Sequence, residues 1–326
     1  MMRRRASKVH AKTNNSREVI MDRRYFLKNV IGSSLVVGSS LAFGDYSRVL
    51  AAIGNPLAPY DLVAVKGGEP EQMFDKAMAS FGGMQTFVPK GSKVLVKPNI
   101  GWDLTPDRAG NTHPKLVGRI IEHCLQAGAK QVSVFDHTCD AWSQCYKNSG
   151  VERAVKDAGG KIVPGNNEGY YHKVRVPHGK RLTETKVHEL VLDADIIINA
   201  PVLKHHSSSM VTIGMKNLMG VVWDRWYYHR NDLHQCIADF VSYRKPNLTV
   251  VDAYNVVKQN GPRGVSVGDV VSMKSLIVSP DPVAADAAAA MIFGAKPTDI
   301  RHIQLAADMH LGKINLKELS IDRIKI

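Results

Sequence analysis

Ile196-Ile197-Ile198-Asn199-Ala200-Pro201-Val202-Leu203-Lys204 is the stretch on which the fold turns. An unbroken β-branched run with no polar partner face belongs to a strand buried on both sides, as in the middle of a parallel sheet. A strand at a sheet surface would alternate instead. Its exit is marked by polar groups, Asn199 before an Ala-Pro break and Lys204 after it.

Working outward, the same grammar repeats. Leu62–Val65, Lys93–Val96, Gln131–Phe135, Lys161–Val163, Leu248–Val251 and a segment near Ile321–Ile324 read as strands. Between them, helical spacing is predicted over Glu71–Phe81, Pro114–Ala127, Asp232–Tyr243, Val283–Phe293 and Ile300–Met309, with a further helix closing at Ala154–Ala158. Thr112 is placed to cap the helix that Pro114 opens, and Gly128 to end it. Tyr171–Val176, in a polar, Gly-rich stretch, suits a hairpin arm. Strands alternating with helices predict an α/β fold: a doubly wound, mostly parallel sheet with helices on both faces and a small inserted lobe. The domain division that follows is a leader over 1–52 and a single α/β domain over 60–326.

The leader has its own logic. Arg23-Arg24-Tyr25-Phe26-Leu27-Lys28 precedes a mildly apolar stretch, Val30–Leu41, diluted by glycine and serine. That stretch is shorter than the roughly 20 apolar residues a membrane helix requires. It fits the apolar region of a twin-arginine export signal, with small residues for cleavage at Ala42 and Ala51-Ala52. Residues 1–20 are polar and basic and read as a misassigned start ahead of Met21 or an unusually long n-region. The expectation is an exported, periplasmic protein that meets the twin-arginine translocase and keeps no stable membrane span once mature.

The net charge of +13 invites a nucleic-acid reading, but residues 1–28 alone supply +7 of it. No Lys/Arg run with interleaved aromatics appears downstream, so no nucleic-acid partner is expected. A modestly basic mature chain suits a small anionic ligand. Cys124, Cys139, Cys145 and Cys236 form no CxxC pair. Their spacing argues against a four-cysteine iron–sulfur cluster, while Cys139 and Cys145 are spaced to bridge, or one of them to serve as a ligand.

Open α/β sheets bind ligands beyond the carboxyl ends of their strands. Here those ends carry Lys97 and Asn99, Asp136 and His137, Asn199 and Lys204, and Asp252. The densest run follows: Lys204-His205-His206, Thr212, Lys216-Asn217-Leu218-Met219-Gly220, then Trp223-Asp224-Arg225-Trp226. Lys97, Lys204 and Lys216 can hold or polarise an anion, and His205 can transfer a proton. Asn99, Asn199, Thr212 and Asn217 are candidate substrate-binding groups. His206, Asp252 and Asp286 are candidate ligands for a divalent metal. Of the adjacent histidines, only one can face a given site. Asp281, ahead of Pro282, reads as a helix cap, which leaves Asp286 as the functional candidate of that helix. No GxSxG elbow, Walker loop or GxGxxG is present.

In this order and spacing, Lys97-Pro98-Asn99, Thr112-His113-Pro114, Asn199–His206, Val211-Thr212, Lys216–Gly220, Val251-Asp252, Gly261-Pro262 and Asp281–Asp286 resemble the motifs of the bacterial and archaeal family named domain of unknown function 362. The resemblance runs from about residue 60 to the C-terminus. It implies that these positions are the family's motif positions. Some members carry an appended ferredoxin-like segment; this chain lacks its cysteine runs, so that cofactor is not carried over. Composition, motifs and resemblance together point to an enzyme, or a metal-dependent protein, acting on a small anionic molecule. The alternatives are a non-catalytic periplasmic accessory protein that holds a metal, cofactor or redox partner, or a scaffold with no small-molecule site.

Overall fold

The computed structural model describes residues 58–326, so the leader and its signal lie outside the described residues. In chain order the strands are β1 (Leu62–Lys66), β2 (Lys93–Pro98), β3 (Gln131–Val134), β4 (Lys161–Ile162), β5 (Tyr171–Arg175), β6 (Glu184–His188), β7 (Ile196–Ala200), β8 (Val202–His206), β9 (Met210–Thr212), β10 (Leu248–Val257), β11 (Val270–Ser279) and β12 (Ile321–Lys325). The helices are α1 (Pro70–Ser80), α2 (Pro114–Gln126), α3 (Trp142–Asn148), α4 (Val151–Asp157), α5 (Glu189–Asp193), α6 (Gly214–Asn217), α7 (Arg225–Arg230), α8 (Leu233–Tyr243), α9 (Pro282–Phe293) and α10 (Arg301–Asp308).

The main sheet runs β12-β1-β11-β10-β7-β2-β3-β4, with β8 paired to β10 and β9 hung on β8. Parallel pairings dominate, and antiparallel ones are confined to β11 and to the β8–β9 hairpin. Because successive side chains of a strand point to opposite faces, each strand feeds two cores. Val94, Val96, Ile196, Ile198 and Val250 pack under α1, α2, α3 and α4. Leu95, Ile197 and Val251 pack under α6, α8, α9 and α10. This is the mixed, mostly parallel α/β sheet with helices on both faces that the strand–helix grammar predicts. The inserted lobe is the separate β5–β6 hairpin. Among the described residues, no helix is long and apolar enough to cross a membrane.

From β2 the chain winds outward through β3 to β4, then returns to place β7 on the opposite side of β2. The switch in winding direction therefore opens a crevice between the carboxyl ends of β2 and β7, where Lys97 and Asn199 are register partners.

Some local expectations are corrected. Thr112 does not cap α2: His113 occupies that position. The Thr112 hydroxyl instead donates to the Ala200 carbonyl (2.7 Å) and accepts from the Asn99 amide (2.8 Å), joining the ends of β2 and β7. The chain does not leave the sheet after Pro201: Val202–His206 form β8, paired with β10. Strand β10 does not stop at Asp252; it continues through an irregularity near Ala253 to Val257. Strand β11 was not anticipated; its first half is largely exposed, and Lys274 within it stands at positive φ.

Candidate functional site

A cleft of about 550 Å³ opens over the β2–β7 switch point, and its walls include Lys97, Asn99, Asp136, Lys204, Lys216 and Asn217. A groove of about 690 Å³ along β1, β11 and β12 is larger, but aliphatic side chains and exposed Lys66, Arg323 and Lys325 line it without a buried titratable group. The chemistry is in the first.

The floor is built from strand ends. Lys97 and Asp136 are almost fully buried and pair at 2.9 Å (Nζ to Oδ1). The other Asp136 oxygen accepts the Ile100 amide at 2.7 Å. Lys97 Nζ also donates to Asn217 Oδ1 (2.8 Å), which Asn99 Nδ2 shares at 3.1 Å. Asn217 Nδ2 in turn donates to Asn199 Oδ1 (2.9 Å) and the Lys97 carbonyl (3.2 Å). Asn217 is thus a hub whose amide is satisfied on every side, as a buried polar network requires.

One wall is the short helix α6 and the turn behind it. Its approach depends on two glycines. A Cβ on Gly214 would lie 2.7 Å from Asp286 Oδ1 and 2.9 Å from Thr249 Cγ2. A Cβ on Gly220 would collide with Asp136 Oδ1 and come within 2.6 Å of Lys97 Nζ. Asp286, fully buried on α9, holds the start of α6 from below. Its oxygens accept the Gly214 and Met215 amides at 2.7 and 3.0 Å. Asn199 Nδ2 completes the seat by donating to the Gly214 carbonyl at 2.8 Å. Burial raises the Asp286 carboxyl to about 7 against the opposing pull of those two amides.

On this seat α6 presents Lys216, which is 9% exposed and faces the cleft. It has no hydrogen-bond or carboxylate partner among the described residues. Burial, reinforced by Arg225 and Lys97, depresses its amine to about 8. Lys204 enters from β8, donates to Asn99 Oδ1 (3.2 Å) and the Gly110 carbonyl (2.5 Å), and likewise has no carboxylate. Burial is the main reason its amine falls to about 7, with Lys216 and Lys97 adding repulsion.

The alternation of β8 separates the two histidines. Lys204 and His206 share the cleft face, and Thr212, the register partner of Lys204 on β9, joins them. His205 points away, and its Nδ1 accepts the Gly261 amide at 3.1 Å. His206 Nδ1 accepts the Ser208 amide at 3.1 Å, so its proton sits on Nε2. Burial, followed by Lys216 and Lys204, drives its basicity down to about 2. It is a neutral hydrogen-bond donor, not a proton-transfer base at physiological pH.

His206, Asp252 and Asp286 are not brought together. Asp252 lies three residues beyond Thr249 on β10, hence on the opposite face, where it accepts the His113 amide (2.7 Å) and the Tyr254 amide (3.0 Å). Asp286 is committed to α6. Among the described residues, no group of three metal-ligating side chains occurs. The cations around His206 also oppose a divalent metal there. The donor set of His206, Asp252 and Asp286 therefore does not fit one.

The structure adds residues to which the sequence assigned no role. Asp136 is the counter-ion of Lys97. Arg225, on α7, donates to the His137 and Thr138 carbonyls (2.9 and 2.8 Å) and to Cys139 Sγ (3.3 Å), fixing a further cation at the rim. The signal was available for both: Asp136 ends a strand, and Arg225 sits between two tryptophans. Cys139 and Cys145 are both free thiols, the first exposed in the cleft and the second buried.

Known proteins share parts of this chain. It is 26% identical over 239 residues to the "Thylakoid-associated protein sll1697" of Synechocystis sp., covering 71% of each chain. It is similar in structure to the lactate racemase apoprotein from Thermoanaerobacterium thermosaccharolyticum, with a TM-score of 0.44 and 12% identity. That likeness takes in 76% of this chain but only 56% of the other, and it carries no activity across. The model of the family described as "Domain of unknown function (DUF362)" matches residues 94–291, which span β2 through α9 and every wall of the cleft, and the chain belongs to that family.

Proposed function

We propose that this protein is an exported enzyme that acts on a small anionic molecule in the cleft over the β2–β7 switch point. One observation carries the reading. Lys204 and Lys216 are buried beside that cleft with no carboxylate to neutralise them, because Asp136 is already committed to Lys97. Buried cations without a counter-charge are costly, and proteins keep them where a ligand supplies the missing charge.

The division of labour follows from the surroundings. Lys216 and Arg225 hold the anion. Lys204, with its amine near 7, is divided between its protonated and neutral forms at neutral pH, which suits it to take or return a proton. His206 donates a hydrogen bond from Nε2. Lys97, Asp136, Asn217 and Asp286 set the geometry without taking part. Export rests on the Arg23–Lys28 pattern and the short apolar stretch behind it.

The test has two arms. Calorimetric titration with acetate, oxalate and inorganic phosphate should show binding that Lys216→Met abolishes. Incubation of a panel of small carboxylic acids in D₂O should show enzyme-dependent deuterium uptake beside the carboxylate, lost in Lys204→Met. Binding without any proton exchange would favour an accessory binding protein. No binding of any probe would remove the anion site itself.

A further inference from the structure

A second groove, about 910 Å³, runs under the β5–β6 lobe and meets the lysine cleft at shared residues: His137, Arg225 and Trp226 line both. The two chambers differ in charge. In the lysine cleft the cations outnumber their partners. In the groove the charges cancel: Lys186 pairs with Glu168 at 2.6 Å, and Lys173 with Glu184 at 2.8 Å. What the groove offers instead is aromatic surface and the side chains of Thr183 and Thr185. Trp223 is fixed in place, stacked on His137 with centroids 5.0 Å apart and planes within 3°, and its amide donates to the Lys186 carbonyl. Trp226 stands at the junction and is 72% exposed. Its nearest aromatic neighbour is His229, at 5.8 Å and tilted, so a face of the indole is uncovered.

Exposing a tryptophan is unfavourable, and an uncovered indole at the mouth of two connected cavities is a surface for stacking. Arg225 fixes its position, since the carbonyls it binds tie the start of α7 to the loop after β3.

Given the anion reading of the lysine cleft, on which this rests, the geometry points to a two-part ligand: a small anionic head held by the lysines, joined to a neutral aromatic group that stacks on Trp226 in the groove. The enzyme's substrate class is then an aryl or heteroaryl anion, not a bare small acid.

Calorimetry with two matched pairs tests this: acetate against phenylacetate, and inorganic phosphate against phenyl phosphate. In the pair that binds, the phenyl member should bind roughly three- to tenfold more tightly, the size of one aromatic stack. Trp226→Ala should erase that advantage while binding of the simple anion persists through Lys216. Equal affinities within the pair, weaker binding of the phenyl member, or an advantage that survives Trp226→Ala would each overturn the proposal and leave the anion site standing. Failure of all four probes would overturn the anion site, and this inference with it.

Discussion

Asp286 Oδ1 accepts the backbone amide of Gly214 at 2.7 Å across 72 residues of sequence, and through that bond α9 sets where Lys216 stands. The second oxygen takes the Met215 amide, so one side chain satisfies two buried donors. Asp286→Ala would orphan both, at a cost of roughly 2–5 kcal/mol. Asp286→Asn keeps one acceptor and should cost about half as much. Anion binding should fall in both variants, because α6 loses its seat. Urea unfolding gives the stability and calorimetry the binding. Full stability in Asp286→Ala would show that α6 does not depend on this cap.

Lys97 and Asp136 form a buried pair whose value lies in being complete. Removing one partner leaves the other charged and buried, which typically costs about 3–5 kcal/mol. Asp136→Asn and Lys97→Met should each behave this way. The double variant should be more stable than the sum of the two losses by at least about 1 kcal/mol. Additive losses in a urea-denaturation cycle would mean that the two groups are not energetically paired.

Gly220 is where the turn after α6 passes over that pair. Gly220→Ala places a methyl against Asp136 Oδ1 and Lys97 Nζ, both anchored by other bonds. The turn must lift, at roughly 1–3 kcal/mol, as for other overpacked sites. Lys216 should then lose its grip on the anion. A Gly220→Ala variant with unchanged melting temperature and unchanged anion affinity would contradict the contact.

Much of this was legible in the sequence. The apolar runs of β2 and β7 and the helical spacing of α2 and α9 specify their own structure, and polar residues at strand ends marked Lys97, Asn99, Asn199 and Lys204. Asp252 and Asp286 were not legible, for different reasons. The parity of β10 sends Asp252 to the α2 face, and parity cannot be counted until the strand's start is known. Asp286 serves two amides far away in sequence, and nothing near it says that α6 lies above. The choice between His205 and His206 was reducible to alternation, but required knowing that residues after Pro201 form a strand.

Export makes a separate prediction on residues 21–28. If Arg23 and Arg24 are read by the twin-arginine route, replacing both by lysine keeps the charge but removes the guanidinium pair. The variant should stay in the cytoplasm at full length, while the unaltered chain is recovered from the periplasm in a shortened form. Fractionation followed by N-terminal sequencing checks both, and also tests initiation at Met21. Equal recovery of the two proteins from the periplasm would refute the signal.

Lys216 offers the sharpest test, because the site reading inverts the usual expectation for a buried side chain. Its amine is pushed from 10.5 to about 8, and that of Lys204 to about 7, chiefly by burial. Above pH 10.5 the amines are neutral in both the folded and unfolded states, and no penalty applies. As the pH falls from 10.5 the unfolded chain takes up protons that the folded protein does not, and the penalty grows until the folded amines are themselves charged, below about 8 and then 7. The share of stability set by these two amines should therefore rise with pH between about 7 and 10.5, and the net rise should show below about pH 9, since burial also raises the Cys124, Cys145 and Cys236 thiols and opposes it above that. Lys216→Met removes its share of the cost and should stabilise the protein at pH 7 by about 1–3 kcal/mol, with a shallower pH slope and no anion binding. A bound anion should do the same for the unaltered protein by neutralising the charge, raising its melting temperature more at pH 6.5 than at pH 9. If Lys216→Met is instead destabilised at pH 7 with the slope intact, the amine has a partner within the fold, and the cleft does not need a ligand to complete it.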